Sequence, residues 1–229
     1  MAHVRQRRAV SLPEPCLLLV TDRTRVFGLL EDAVAEAVAG GVNAVQLREK
    51  DLPAGELLQT AQRLRTITKG RALLLINDRL DVALACEADG IHLPENGLPP
   101  KVARQVGGND LYLGRSVHSV AAAQQAARSG ADYLVVGTIY ATSSHPGDPA
   151  SGTGLITEVA HVVDLPLVGI GGITPEKVHE VIQAGATGVA VISAILGARQ
   201  PRAAAKALRE ALDAAWAARP TVPTRPPGA

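Results

Sequence analysis

Aromatic side chains are scarce: 2% of the 229 residues, namely Phe27, Tyr112, Tyr133, Tyr140 and Trp216. So few rings leave no platform on which successive bases could stack, which argues against a single-strand nucleic-acid binder. Cysteine is as rare. Cys16 and Cys86 are too few for a disulfide framework or a zinc site, and both lie in apolar runs where a thiol behaves as a small hydrophobe. A reducing cytoplasm suits that usage. Net charge is also nearly absent: the formal value of +1 gives no global pull toward nucleic acid or an anionic membrane. No apolar run reaches the length of a membrane span, and none has the layout of a signal peptide.

What is present is an ordinary globular balance, 47% hydrophobic and 20% charged, so the core is expected to be built from Val, Leu, Ile and Ala. The length allows one large domain or two small ones. Residues 1–14 carry Arg5, Arg7 and Arg8 without periodicity and read as a flexible basic leader. From Arg219 the chain turns Pro-rich (Pro220, Pro223, Pro226, Pro227), so 219–229 is expected to be disordered. The folded domain is expected over 15–218.

Within it, short β-rich runs recur at 16–21, 44–47, 72–76, 90–93, 111–114, 133–136, 165–170 and 188–192, each followed by helical signals. The segments 31–40 and 53–69 are amphipathic and end at Gly40-Gly41 and Gly70, as glycine C-caps end helices. Ser119 reads as the N-cap of a helix over 120–129. Thr174, followed by Pro175, reads as the N-cap of one over 175–184. The strands are near-continuous apolar runs, as in a parallel sheet covered on both faces. A doubly wound open sheet gives the same local pattern. Eight strand–helix units in one domain favour a single compact (β/α)8 TIM barrel, whose ligand site lies where strands end and loops begin.

Polar residues at those ends are therefore the functional candidates. In Gln46-Leu-Arg-Glu-Lys50 the alternation puts Gln46, Arg48 and Lys50 on one face, aiming two cations and an amide at one spot. That is an anion site, suited to a phosphate or diphosphate. Behind the third run stand Asn77 and Asp78. Asp78 suits a hard cation such as Mg²⁺ and Asn77 a ligand's polar edge, although either residue also makes a helix cap. His92 reads as a hydrogen-bonded structural histidine, and Glu95 after it can face a cation. Ser116 offers a hydroxyl after the fifth strand, and His118 reads as helix-entry structure. The long loop after the sixth carries Thr142, Ser143, Ser144 and His145 among Gly and Pro, as a flap would. Gly171-Gly172 ahead of Thr174, with Ile192 and Ser193 after the eighth strand, form a phosphate cradle where such barrels often have one. Two anion sites at one mouth imply a substrate pair, or one substrate phosphorylated at both ends.

The ordered series of motifs resembles the thiamine phosphate synthase and thiazole tautomerase superfamily, from about Leu17 to Leu212, and is closer to the synthase. It comprises Val20-Thr21-Asp22, Gln46-Leu-Arg-Glu-Lys50, Ile76-Asn77-Asp78, Gly90-Ile91-His92, Ser116-Val117-His118, Gly130-Ala131-Asp132-Tyr133, Ile170-Gly171-Gly172 and Ile192-Ser193. The resemblance implies a transferase that couples a hydroxymethylpyrimidine diphosphate to a thiazole phosphate with Mg²⁺. Gln46, Arg48, Lys50 and Asn77 would hold the diphosphate, and Asp78 the metal. Ser116 would sit at the reacting centre. Thr142 and Ser144, with Gly172, Ile192 and Ser193, would hold the thiazole phosphate, Ser143 would join the substrate-binding hydroxyls, and His145 would stand on the diphosphate side. The implied partners are these small phosphorylated molecules, not nucleic acid or membrane, and such barrels often pair as homo-oligomers.

Two positions depart from the synthase pattern. Gly97 stands where a second metal-binding Asp is expected, leaving Asp78 alone or with Glu95. His145 stands where a Lys is expected. The alternatives are an isomerase like the tautomerase and a phosphate-ligand binder without turnover. The tautomerase's catalytic histidine position is occupied here by Thr138.

Overall fold

Short apolar runs bounded by turn residues bury both faces most readily as central strands. In a computed structural model, which describes residues 11–142 and 150–219, eight such runs close into a parallel barrel in sequence order. They are β1 (Cys16–Val20), β2 (Ala44–Leu47), β3 (Leu73–Asn77), β4 (Gly90–Leu93), β5 (Tyr112–Val117), β6 (Tyr133–Val136), β7 (Leu167–Ile170) and β8 (Gly188–Val191). The helices α1 (Leu30–Ala39), α2 (Ala54–Thr68), α3 (Leu80–Ala85), α4 (Pro100–Gly107), α5 (Val120–Arg128), α6 (Gly154–Ala160) and α7 (Val178–Gln183) follow the first seven strands. After β8 come a single turn, α8 (Ser193–Leu196), and the long α9 (Pro201–Ala217). The expected (β/α)8 barrel is the observed fold.

Helix spacing explains the outer layer. In α1 the buried residues Leu30, Ala33, Val34, Ala37 and Val38 recur at three- and four-residue steps, which places them on one stripe against the sheet. Helix α9 presents Ala205, Leu208, Leu212 and Ala215 in the same way and packs beside α1 and α7. The seam between β1 and β8 is closed by Gly188. A Cβ there would lie 2.4 Å from the Cys16 carbonyl oxygen, so only glycine lets these backbones meet. Among the described residues no helix is long and apolar enough to cross a membrane.

Several boundaries differ from the sequence reading. β3 and β5 run further than expected, so Asn77 and Ser116 stand within strands rather than behind them. β7 begins at Leu167 instead of 165, since Pro166 has no N–H to continue the ladder. Ser119 caps α5 as expected, accepting from the Ala122 N–H. The Thr174 side chain caps nothing; the segment opens as a 3₁₀ turn at Pro175–Lys177 before α7. Leu12, inside the expected leader, is buried with the core. Residues 1–10 of that leader and 220–229 of the expected tail lie outside the described residues.

Candidate active site

At the C-terminal ends of the strands lies a cavity of about 370 Å³, and most of the expected site residues line it. Gln46 is the third residue of β2 and is 3% exposed, with its amide N–H donating to Asn77 Oδ1 at 3.1 Å. The strand ends at Leu47, yet its alternation continues into the loop. The Arg48 N–H donates to the buried Thr21 hydroxyl at 2.9 Å, which holds the extended course. Glu49 faces away from the cavity, where its carboxylate accepts from the Arg23 N–H and guanidinium. Arg48 and Lys50 therefore line the cavity together with Gln46. Burial draws the Arg48 guanidinium below its usual pKa, a trend opposed by Asp22 and Glu49. Such a half-buried cation has most to gain from an incoming anion.

Asn77 ends β3 and lines the cavity; Asp78 follows in the left-handed region, with φ 61°. Its N–H donates to the His92 carbonyl at 2.8 Å, which fixes the turn to β4. The carboxylate lies beside Gly97, where a Cβ would be 2.9 Å from Asp78 Oδ1. Among the described residues no group of three or more His, Cys, Asp or Glu side chains could hold a metal unaided. A single carboxylate still suits Mg²⁺, which keeps most of its shell for waters and substrate phosphates. Glu95 lines the cavity, but its carboxylate pairs with His118 Nδ1. The loop carrying it is tied down by Arg115, whose guanidinium donates to the Leu98 and Glu95 carbonyls at 2.6 and 2.5 Å.

Ser116 faces the same cavity from β5, and His92 Nε2 lies 2.8 Å from its Oγ. His92 is 2% exposed, with Nδ1 3.2 Å from the hydroxyl of Tyr133. Burial, then the charges of Arg115 and Arg48, push the imidazole pKa down to about 3, so it is neutral at ordinary pH. The expected structural role of His92 is what its hydrogen bonds describe.

Across the mouth, Gly171 and Gly172 follow β7 at φ 107° and 59°. A Cβ on Gly172 would lie 2.5 Å from the Ala141 carbonyl oxygen, so the turn needs glycine for both conformation and space. The Tyr140 N–H donates to the Gly171 carbonyl at 3.0 Å, binding the start of the flap to this turn. Lys177 braces it from behind, with Nζ donating to the Gly172 carbonyl and lying over the Tyr140 ring. Gly172, Ile192 and Ser193 all line the cavity, as does Thr142. Ser193 is the first residue of α8. Ser143, Ser144 and His145 lie outside the described residues.

The cavity thus brings together Gln46, Arg48, Lys50, Asn77, Glu95, Ser116, Thr142, Gly172, Ile192 and Ser193; Asp78, next to Asn77, does not itself line it. The sequence reading missed the supporting layer: Thr21 under Arg48, Arg115 under the β4 loop, and Tyr133 behind His92. Gly114, a glycine inside a strand, was the available signal for the last of these.

Comparison with known proteins extends the likeness beyond the cavity. The thiamine monophosphate synthase family profile matches residues 17–195. The thiamine-phosphate synthase of Roseiflexus castenholzii is 46% identical over 194 residues, 83% of this chain and 85% of its own. That of Methanoculleus marisnigri is 47% identical over 204 residues, 88% of this chain and 97% of its own. The solved structure of thiamine phosphate pyrophosphorylase from Pyrococcus furiosus superposes with a TM-score of 0.81 at 35% identity, covering 87% of this chain and 96% of that one. The similarity therefore spans the whole barrel, not one motif.

Proposed function

The chain belongs to the thiamine monophosphate synthase family, and on that footing we propose how its barrel mouth works as a thiamine phosphate synthase. This transferase couples hydroxymethylpyrimidine diphosphate to thiazole phosphate, giving thiamine phosphate and pyrophosphate. Relatives named as synthases over nearly the whole barrel support that reading above the sister isomerase or a binder without turnover. The observation that carries it is a single cavity with two walls of different chemistry, each suited to an anion. One is cationic, built on β2 and β3; the other is a glycine turn and a serine, built on β7 and β8.

Arg48 and Lys50 hold the diphosphate by charge, while the joined amides of Gln46 and Asn77 orient it. The bond between the pyrimidine methylene carbon and the diphosphate oxygen breaks, and its electron pair leaves with the oxygen. Both cations stabilise the negative charge that collects there. The electron-poor methylene then accepts the lone pair of the thiazole nitrogen, forming the new C–N bond. No general base is needed for that step; placing the two rings is the main task. Gly172, Ile192 and Ser193, with the hydroxyls of Thr142 and Ser144, hold the thiazole phosphate. Asp78, next in the chain to the cavity-lining Asn77, would hold Mg²⁺. When bound, the ion neutralises charge on the departing pyrophosphate. Cys16 and Cys86, both buried and unpaired, support a reducing, cytoplasmic setting.

Binding measured wall by wall tests this assignment. In calorimetric titrations, Arg48→Ala and Lys50→Ala should each weaken inorganic pyrophosphate by about tenfold or more, since a hydrogen bond to a charged group contributes about 1.5–3 kcal/mol. Thiazole phosphate should bind both variants as it binds the parent, and Ser193→Ala should show the reverse pattern. Unchanged pyrophosphate affinity in Arg48→Ala would remove the cationic wall from the account.

A further inference from the structure

The layer beneath Ser116 is built around a missing side chain. His92, Gly114 and Tyr133 are register partners on β4, β5 and β6. A Cβ on Gly114 would lie 2.0 Å from Tyr133 Cζ, so the tyrosine ring occupies the place of a β5 side chain. It crosses that strand to reach His92, stacked on Tyr112 with ring centroids 5.2 Å apart and planes 5° from parallel. His92 in turn reaches Ser116, two residues beyond Gly114 on β5. The hydroxyl of Tyr133, the imidazole of His92 and the hydroxyl of Ser116 thus form one chain from the barrel core to the cavity.

We propose that Tyr133 sets the tautomer of His92, and that His92 thereby turns the Ser116 proton into the cavity, making Ser116 a hydrogen-bond donor to the bound diphosphate substrate. Tyr133 is fully buried, and His92 Nδ1 is the one hydrogen-bond partner of its hydroxyl among the described residues. With a single partner, the phenol satisfies its O–H only by donating, and leaving it unpaired in the core is costly. Nδ1 is then the bare acceptor, and the neutral ring carries its proton on Nε2. Nε2–H donates to Ser116 Oγ, whose own proton must point elsewhere, toward the cavity that Ser116 lines. The opposite tautomer would leave the Tyr133 O–H unpaired and direct the serine proton back onto the imidazole. A serine beside a histidine ordinarily suggests a nucleophile and its base. Here a phenol stands behind the histidine instead of a carboxylate, and the arrangement gives neither. His92 and Tyr133 are positioning residues.

The test begins with the unmodified full chain carrying ¹⁵N-histidine. Its imidazole nitrogen signals distinguish a protonated from a bare nitrogen, and His92 is assigned by the signals absent from His92→Gln. A neutral ring protonated on Nε2 is expected from about pH 5 to about pH 8. A proton on Nδ1, or an imidazolium within that range, overturns the proposal whether or not any variant folds. In Tyr133→Phe the group that fixes the tautomer is gone, so the His92 nitrogen signals should depart from those of the parent, and kcat should fall by about tenfold with KM little changed. His92→Gln, which keeps an N–H near Ser116, should retain more activity than His92→Leu. An unchanged kcat in Tyr133→Phe, with the tautomer altered, would overturn the catalytic part. That part rests on the synthase reading, but the tautomer does not. An Nε2–H ring in a protein without turnover would refute the synthase reading alone.

Discussion

At Gly97 a side chain is missing where the resemblance leads one to expect a second acidic ligand, and its Cβ would lie 2.9 Å from Asp78 Oδ1. The adjacency is itself informative: positions 78 and 97 meet, although eighteen residues, with α3 and β4 among them, separate them in the chain. Gly97→Asp should therefore bring two carboxylates together, lowering Tm without metal and raising it with Mg²⁺ by more than in the parent. Each kcal/mol moves Tm by about 2–4 °C in a domain of this size. Equal Mg²⁺ responses in the two proteins would separate position 97 from the metal. His92 makes a second prediction at this scale. Its folded pKa of about 3 lies below the ordinary value of 6.5, so the unfolded chain takes up a proton that the folded one refuses. Stability should be full above the ordinary value and decline as pH falls from there toward about 3, with a slope bounded by one proton per molecule. Urea titrations across that window should show a shallower acid loss in His92→Gln, and parallel curves would contradict the buried neutral imidazole.

The strands and the loops differ in how much of their structure the sequence discloses. All eight strands were legible because apolar runs bounded by turn residues leave few other solutions. The candidate wall of Gln46, Arg48 and Lys50 was legible because alternation is a property of the strand itself. What escaped was contact between elements distant in sequence: Thr21 under Arg48, Arg115 on the β4 loop, and Tyr133 crossing β5 to His92. None leaves a local signature, since each depends on the register of neighbouring strands. The pairing of Glu95 with His118 is of the same kind. Gly114 marks such a contact in the sequence, as a glycine where a strand prefers a side chain. Gly114→Ala would put a Cβ 2.0 Å from Tyr133 Cζ, and overpacking of this sort costs about 1–3 kcal/mol or more. The expected result is a lower denaturation midpoint together with reduced kcat, because the ring that holds His92 must move. Destabilisation with kcat intact would confine Gly114 to packing.

Taken as a whole, the molecule is a barrel whose mouth holds a cationic wall on one side and a glycine-lined wall on the other, with Ser116 between them. Barrel closure makes this possible by bringing β2 and β3 to the same opening as β7 and β8, although β7 begins 90 positions after β3 ends. Neither wall alone distinguishes a synthase from a binder of phosphorylated molecules; their joint use does. The direct measurement is turnover of the full chain with hydroxymethylpyrimidine diphosphate and thiazole phosphate, with Mg²⁺ or with EDTA, reading thiamine phosphate by fluorescence after oxidation. The account predicts product with Mg²⁺, none with EDTA, and a loss of about a hundredfold or more in Asp78→Ala, as removal of one main stabiliser of transition-state charge produces. Absence of product from folded protein that still binds both ligands would contradict it.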